Sequence, residues 1–214
     1  MAIADIRREY TLGGLRRADL DANPIAQFKK WFEQATKALA QKEIDVNAAT
    51  LATADKNGKP SARIILLKGL DERGFIFFTN YGSRKGRELS ENPNASLVFY
   101  WQQLERQVCI AGLVKKTSRE ESEKYFKSRP RGSQLAAWAS NQSDVVADRV
   151  ALEAKWNEME KKFPNEVPLP PNWGGFILKP ERIEFWQGRA SRLHDRFCYT
   201  RQKNNSWKLE RLAP

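Results

Sequence analysis

Tyr125, Arg129 and Ser133 recur at four-residue intervals in Tyr125-Phe126-Lys127-Ser128-Arg129-Pro130-Arg131-Gly132-Ser133. A phenol, a guanidinium and a hydroxyl together suit a phosphate monoester. Tyr125 and Arg129 share a helix face if the helix persists to Arg129. Pro130 then turns the chain, and Ser133 presents its hydroxyl from the next helix start. A helix C-terminus decorated with favourable cations accounts for the same residues, at a gain of roughly a fraction of a kcal/mol. A second anion-binding set lies in Phe78-Thr79-Asn80 and Ser83-Arg84-Lys85. There a strand end, a turn and a helix start carry hydroxyls and two cations. The third set surrounds the single histidine, His194, in Arg192-Leu193-His194-Asp195-Arg196. Strand alternation predicts Arg192, His194 and Arg196 on one face. Such a face is either a solvated basic edge strand or one that an anion neutralises.

These groups need elements to hold them. Asn23-Pro24 starts a helix, and Ile25, Phe28, Phe32, Ala35 and Leu39 at helical spacing extend it over 24–41. Strands are predicted at 48–54, 61–68 and 75–79, with a hairpin at Asn57-Gly58 and a turn at 71–74. Ser83 caps a short helix through Leu89 that stops at Asn92-Pro93. Strands at 95–101 and 106–115 follow. Thr117-Ser118 with Glu120-Glu121 then opens a helix toward Lys127. Another helix follows Arg131, and Ser143-Asp144 starts a longer one that ends near Phe163. Closing strands are expected at 175–187, 193–201 and 206–211. Antiparallel strands with inserted helices point to a barrel rather than a βαβ sheet.

The 214 residues suffice for one domain with a real core. Lys and Arg number 37 against 26 Asp and Glu, a net charge of +11, which raises nucleic-acid binding as one reading. However, the cations are dispersed beside small residues and at strand ends, and the aromatics are not interleaved with them as single-strand binders require. Neither a secretory leader nor a membrane span is expected. Cys109 and Cys198 sit in apolar strands with no partner motif, which predicts buried free thiols in a reducing, cytoplasmic compartment.

Trp186-Gln187-Gly188 followed by Arg192-Leu193-His194-Asp195-Arg196 resembles the C-terminal signature of the pyridoxine/pyridoxamine 5′-phosphate oxidases, which are FMN enzymes. The resemblance runs from Arg7 to Pro214, with the motifs in the family's order. It implies a mainly β (α+β) fold: an FMN-binding split β-barrel of antiparallel Greek-key type with flanking helices, spanning 21–214. Residues 1–20 would be a segment able to close over substrate. It also implies a homodimer with FMN at the subunit interface, vitamin B6 phosphates and dioxygen as reactants, and no metal, nucleic acid or membrane partner.

By the same resemblance, FMN is held by the strand Arg63, Ile64, Leu66, Leu67 and Lys68, by Phe78, Thr79, Arg84 and Lys85, and by Gln107, Gln142, Ser143, Trp186 and Arg196. Phe78 occupies a position where the family varies, so its side chain contributes packing. Gln107 offers an amide that both donates to and accepts from the flavin edge. Ser143 serves as a helix cap, a flavin contact, or both. The substrate's 5′-phosphate falls to Lys68, Tyr125, Arg129 and Ser133, with Arg7, Arg8, Glu9 and Tyr10 as further contacts. Arg192 and His194 bracket the substrate ring, Arg192 assisting proton removal electrostatically and His194 relaying a proton. Asp45 matches an acidic position near the family's site. A flavin-binding relative with a changed substrate is the other reading, against which the Tyr125/Arg129/Ser133 and Arg192/His194 sets both stand.

Overall fold

In the computed structural model, residues 2–6 and 8–214 are described; Arg7, expected at the substrate, lies outside them. Among the described residues nine strands, β1 (Ala48–Ala54), β2 (Pro60–Leu66), β3 (Gly69–Asp71), β4 (Gly74–Asn80), β5 (Asn94–Trp101), β6 (Arg106–Lys116), β7 (Trp173–Gln187), β8 (Asp195–Arg201) and β9 (Trp207–Leu212), form one antiparallel sheet in the order β2-β1-β5-β6-β7-β4-β3, with β8 on β7 and β9 on β8. Five α-helices flank it, an α+β arrangement.

Local chemistry starts most elements where expected. The helix α1 (Pro24–Leu39) is capped by the Asn23 side chain, which accepts the Ile25 N–H. Its apolar stripe buries Phe28, Trp31, Ala35 and Leu39, and Phe28 packs edge-on against Phe75 and Phe99. Strands β1 (Ala48–Ala54) and β2 (Pro60–Leu66) form the Asn57-Gly58 hairpin. Alternate residues of β1 and β5 (Asn94–Trp101) enter the core, among them Leu51, Leu97 and Phe99. A short strand, β3 (Gly69–Asp71), went unforeseen; it pairs with β4 (Gly74–Asn80) across the expected turn.

The longest strand, β7 (Trp173–Gln187), divides the sheet. Its residues 176–187 pair with β6 (Arg106–Lys116), while residues 173–178 pair with β4 and residues 182–187 pair with β8 (Asp195–Arg201). The exchange of partners coincides with a register shift at Ala111/Gly112. A Cβ at Gly112 would lie 2.1 Å from the Lys179 carbonyl oxygen, so glycine permits the close crossing. The last strand, β9 (Trp207–Leu212), closes against β8.

Three helices cover one end. In α3 (Arg119–Ser128), the Ser118 side chain accepts the Glu121 N–H. The helix stops at Ser128 because Arg129 precedes proline and turns extended, with ψ 149°. After α4 (Arg131–Ala139), α5 runs from Arg149 to Lys162 and is capped by Asp148. The expected start at Ser143 is therefore corrected. Ser143 has φ 78°, a left-handed conformation unlike the extended backbone of a helix cap, and Asp148 takes that role.

A second correction concerns the histidine segment. Ala190–Arg192 forms a 3-10 turn with Ser191 at φ 55° and Arg192 at φ 60°, and β8 begins only at Asp195. Side-chain alternation cannot pass through left-handed residues, so Arg192, His194 and Arg196 do not form one strand face. Cys198 is buried as expected, whereas Cys109 is only half-buried; both are free thiols.

Candidate functional site

A cleft of about 490 Å³ opens between β2, the end of β4 and the α3–α4 cap. Its walls include Ile64, Leu66, Lys68, Phe78, Thr79, Lys85, Tyr125, Arg129, Ser133 and Gln142. Two of the expected sets thus meet in one cavity, one from the start of α2 (Arg84–Glu91) and one from the α3–α4 turn.

At the α2 end, Ser83 caps the helix α2 (Arg84–Glu91) by accepting the Gly86 N–H. Lys85 is buried, and its ammonium donates to the Thr79 hydroxyl at 3.2 Å and to Gln142 Oε1 at 2.9 Å. Burial, then the nearby Arg63 guanidinium, pulls its pKa down to about 8. A buried ammonium bonded to neutral oxygens is suited to an anion. Ser143 Oγ accepts the Arg84 N–H at 3.1 Å, so it serves the start of α2 rather than capping its own helix. Arg63 lies outside the lining, turned toward Glu88.

At the α3–α4 turn, Tyr125 and Arg129 both line the cleft although the helix stops one residue short of Arg129. The Arg129 guanidinium sits 4.8 Å from the Trp173 ring centre, and its buried Nη1 has no hydrogen-bond partner among the described residues. Burial lowers the Arg129 pKa. Phe78, Tyr125 and Trp173 lie nearly parallel, the first two rings 4.0 Å apart. Phe78 thus contributes packing, as its hydrocarbon ring requires, and steadies the Tyr125 phenol. A buried donor without an acceptor is costly unless a ligand supplies one, and a phosphate oxygen meets that need.

The remaining expected residues gather elsewhere. Gln107, Trp186 and Arg196 are consecutive cross-strand partners on β6, β7 and β8, one row on the sheet. None of them lines the cleft. Gln107 Nε2 donates to Cys109 Sγ at 3.3 Å, and Arg196 Nε donates to Glu184 at 2.8 Å. The Trp186 ring lies 4.7 Å from His194, and Tyr10 meets both edge-on at 5.5 and 5.6 Å. His194 Nδ1 accepts the Arg189 N–H at 3.1 Å, leaving Nε2 to carry the proton in the neutral ring. Arg192 is exposed. Glu9 Oε2 accepts the Ser191 N–H at 3.4 Å, and Arg8 pairs with Glu105 at 3.4 Å.

Leu67 faces the core, and Asp45 lines a neighbouring groove that also contains Lys68. Reasoning from sequence missed Trp173, Glu88 and Glu105. Only Glu88 carried a local signal, the (i, i+4) pairing with Arg84.

Residues 32–163 match the family described as pyridoxamine 5′-phosphate oxidase, and residues 173–214 match the pyridoxine 5′-phosphate oxidase C-terminal dimerisation region. The chain is 56% identical over 213 residues to a pyridoxine/pyridoxamine 5′-phosphate oxidase of Nostoc punctiforme, covering 99% of this chain and 98% of that one. It is likewise 56% identical to the Paraburkholderia phytofirmans protein of that name over 214 residues, covering 100% and 99%. Among solved structures, PhzG from Burkholderia lata 383, in complex with tetrahydrophenazine-1-carboxylic acid, superposes with a TM-score of 0.87 at 36% identity, covering 94% of this chain and 98% of that one. A pyridoxamine 5′-phosphate oxidase-related, FMN binding protein from Nostoc punctiforme shares the fold, with a TM-score of 0.72 at 18% identity over 91% and 100%. With residues 32–163 and 173–214 matched in order and nearly its whole length aligned to such relatives, the chain belongs to the pyridoxamine 5′-phosphate oxidase family.

Proposed function

We propose that this chain oxidises pyridoxine 5′-phosphate and pyridoxamine 5′-phosphate to pyridoxal 5′-phosphate with FMN as cofactor, as a homodimer that builds each site from two copies. The observation that carries the reading is the buried Arg129 Nη1, unpartnered among the described residues, in a cleft that also holds Lys68, Tyr125 and Ser133. This set binds the substrate's phosphate. Lys85 and Thr79, with Gln142 bonded to both, fit the cofactor's phosphate at the other end, and Arg63 and Arg84 add charge beside them. When bound, FMN supplies a two-electron acceptor that takes the hydride from C4′ and passes the electrons to dioxygen, which leaves as hydrogen peroxide.

The protein's part is to position and to manage charge. Gln107, Trp186 and Arg196 of a second copy face the flavin ring, because their row lies apart from the cleft of their own copy. The dimerisation region of the family spans β7 to β9, the strands that carry this row in part. Ile64 and Leu66 on β2 and Tyr100 on β5 expose apolar surface for that contact. Arg192 stabilises negative charge near C4′, and His194, with Nε2 as its donor, bonds the substrate's phenolic oxygen or relays a proton. Asp45 stands at the groove beyond Lys68 and adds a carboxylate near the reacting carbon. Residues 8–15 close over the His194 side. A cytoplasmic location suits two free thiols.

The carboxylic acid named in the PhzG complex lacks a phosphate monoester, so the Arg129 set favours the B6 phosphates over that class. Denaturing the purified protein and chromatographing the released flavin tests the cofactor. Oxygen-dependent turnover of pyridoxine 5′-phosphate tests the activity. Release of FAD, or no turnover by flavin-loaded dimer, overturns the proposal.

A further inference from the structure

Arg63 and Arg84 reach the same buried carboxylate from opposite sides. Glu88 is 5% exposed and follows Arg84 by one helical turn, so both lie on one face of α2. Its Oε1 accepts from Arg84 Nε at 2.8 Å. Its Oε2 accepts from the Thr53 hydroxyl, from the Ser61 hydroxyl at 2.6 Å and from Arg63 Nη2 at 3.3 Å. The Arg63 guanidinium is bonded in turn to the Thr53 and Ser61 hydroxyls. One carboxylate therefore ties the β1–β2 hairpin to α2 and fixes two guanidiniums beside Lys85. Burial pushes the Glu88 carboxyl up, but the Ser61, Thr53, Arg84 and Arg63 donors outweigh it and hold it at about 2.

A negative charge beside a site for a phosphate opposes that phosphate by charge alone. Its presence is favourable only if the geometry it imposes on the cations is worth more, since a preorganised guanidinium loses less rotamer freedom on binding. We infer that Glu88 is a positioning residue for the cofactor's phosphate, acting through Arg63 and Arg84. This rests on reading the Lys85 end of the cleft as the phosphate end of the cofactor site.

Positioning and bystander charge predict opposite signs, which makes the inference testable. Glu88→Gln keeps the size of the side chain and an oxygen that accepts the hydroxyls, and removes the charge. Binding is measured on the full chain freed of flavin, by the fluorescence of added FMN and, separately, of riboflavin, which has no phosphate. The expected result is FMN binding weaker by about tenfold with riboflavin binding unchanged. Equal or tighter FMN binding, with riboflavin still unchanged, overturns the role of Glu88. A parent protein that does not prefer FMN to riboflavin overturns instead the assignment of the phosphate end. Should Glu88→Gln fail to fold, Ser61→Ala carries the test, because it loosens Glu88 and Arg63 without removing any charge. A smaller loss confined to FMN is expected from it, and an unchanged FMN preference overturns the inference.

Discussion

Glu105 Oε2 accepts the Leu12 N–H at 3.0 Å, joining the turn before β6 to the N-terminal segment. The carboxylate is buried, and its backbone is held left-handed at φ 53°. The Glu105 carbonyl accepts the Gly188 N–H at 2.8 Å, so one residue organises both sides of the contact. Gly188 is needed there, because a Cβ would lie 2.8 Å from the Tyr10 side chain. Asp195 adds a second tie by accepting the Leu15 N–H at 3.0 Å.

Glu105→Ala should therefore release residues 8–15 from the Trp186–His194 side. Expected are faster tryptic cleavage near Arg16 and Arg17 and a raised Michaelis constant, with FMN retained. Removing a buried charged acceptor costs about 1–3 kcal/mol, so the cleavage change should be several-fold or more. Timed digestion followed by mass analysis reads it. An unchanged digestion pattern would show that the Asp195, Ser191 and Tyr10 contacts hold the segment without Glu105.

Arg129→Ala should raise the Michaelis constant for pyridoxine 5′-phosphate and leave FMN bound. Loss of one charge-assisted contact costs roughly 1.5–3 kcal/mol, about one to two decades in binding. The guanidinium also rests on Trp173, so Arg129→Lys, which keeps charge but neither the fork nor the stacking, should recover little. Steady-state kinetics over a wide substrate range decides it; an unaltered Michaelis constant for Arg129→Ala places the phosphate elsewhere.

With Lys85 at the cofactor's phosphate, as proposed, FMN affinity should depend on pH. Burial lowers its pKa to about 8 in the flavin-free protein, and a bound phosphate favours the charged form and raises it. Binding then takes up a proton wherever Lys85 starts neutral, so affinity should be level below about pH 8 and fall as pH rises through it. Fluorescence titrations from pH 6.5 to 9.5 (about three units, spanning the lysine's range) measure the slope. Lys85→Ala should bind FMN more weakly and lose this dependence; a parent-like slope in that variant assigns the titration to another group.

Much of this arrangement was legible because it is local. Asn23-Pro24, Asn57-Gly58 and Ser118 each determine a cap or a turn within a few residues, and the matching elements formed. The Tyr125/Arg129 spacing led to a shared cleft although the helix that suggested it ends at Ser128. What stayed hidden depends on distant partners. The switch of β7 from β4 to β8 is a matter of long-range pairing around Gly112. The start of α5 was a competition between two caps, which Ser143 lost by turning left-handed. Trp173 is far in sequence from Arg129, and no spacing links them. The row Gln107, Trp186, Arg196 emerges only once the register of three strands is fixed.

Arg192 and His194 should govern the chemical step rather than flavin binding. Arg192 stands in a turn at φ 60° and is exposed, while His194 is fixed by the Arg189 N–H and by the Trp186 and Tyr10 rings. The two side chains are thus held by different means despite adjacent places in the motif, and their removal should have different consequences. On the proposed role, Arg192→Ala removes a charge that stabilises negative charge near C4′, so anaerobic reduction of the flavin by substrate should slow by about two orders of magnitude. His194→Ala should slow it less and mainly alter its pH dependence. Stopped-flow bleaching of the flavin without oxygen isolates this step from product release. If both variants reduce flavin at the parent rate with FMN fully bound, the His194 side is structural and the reacting carbon lies elsewhere.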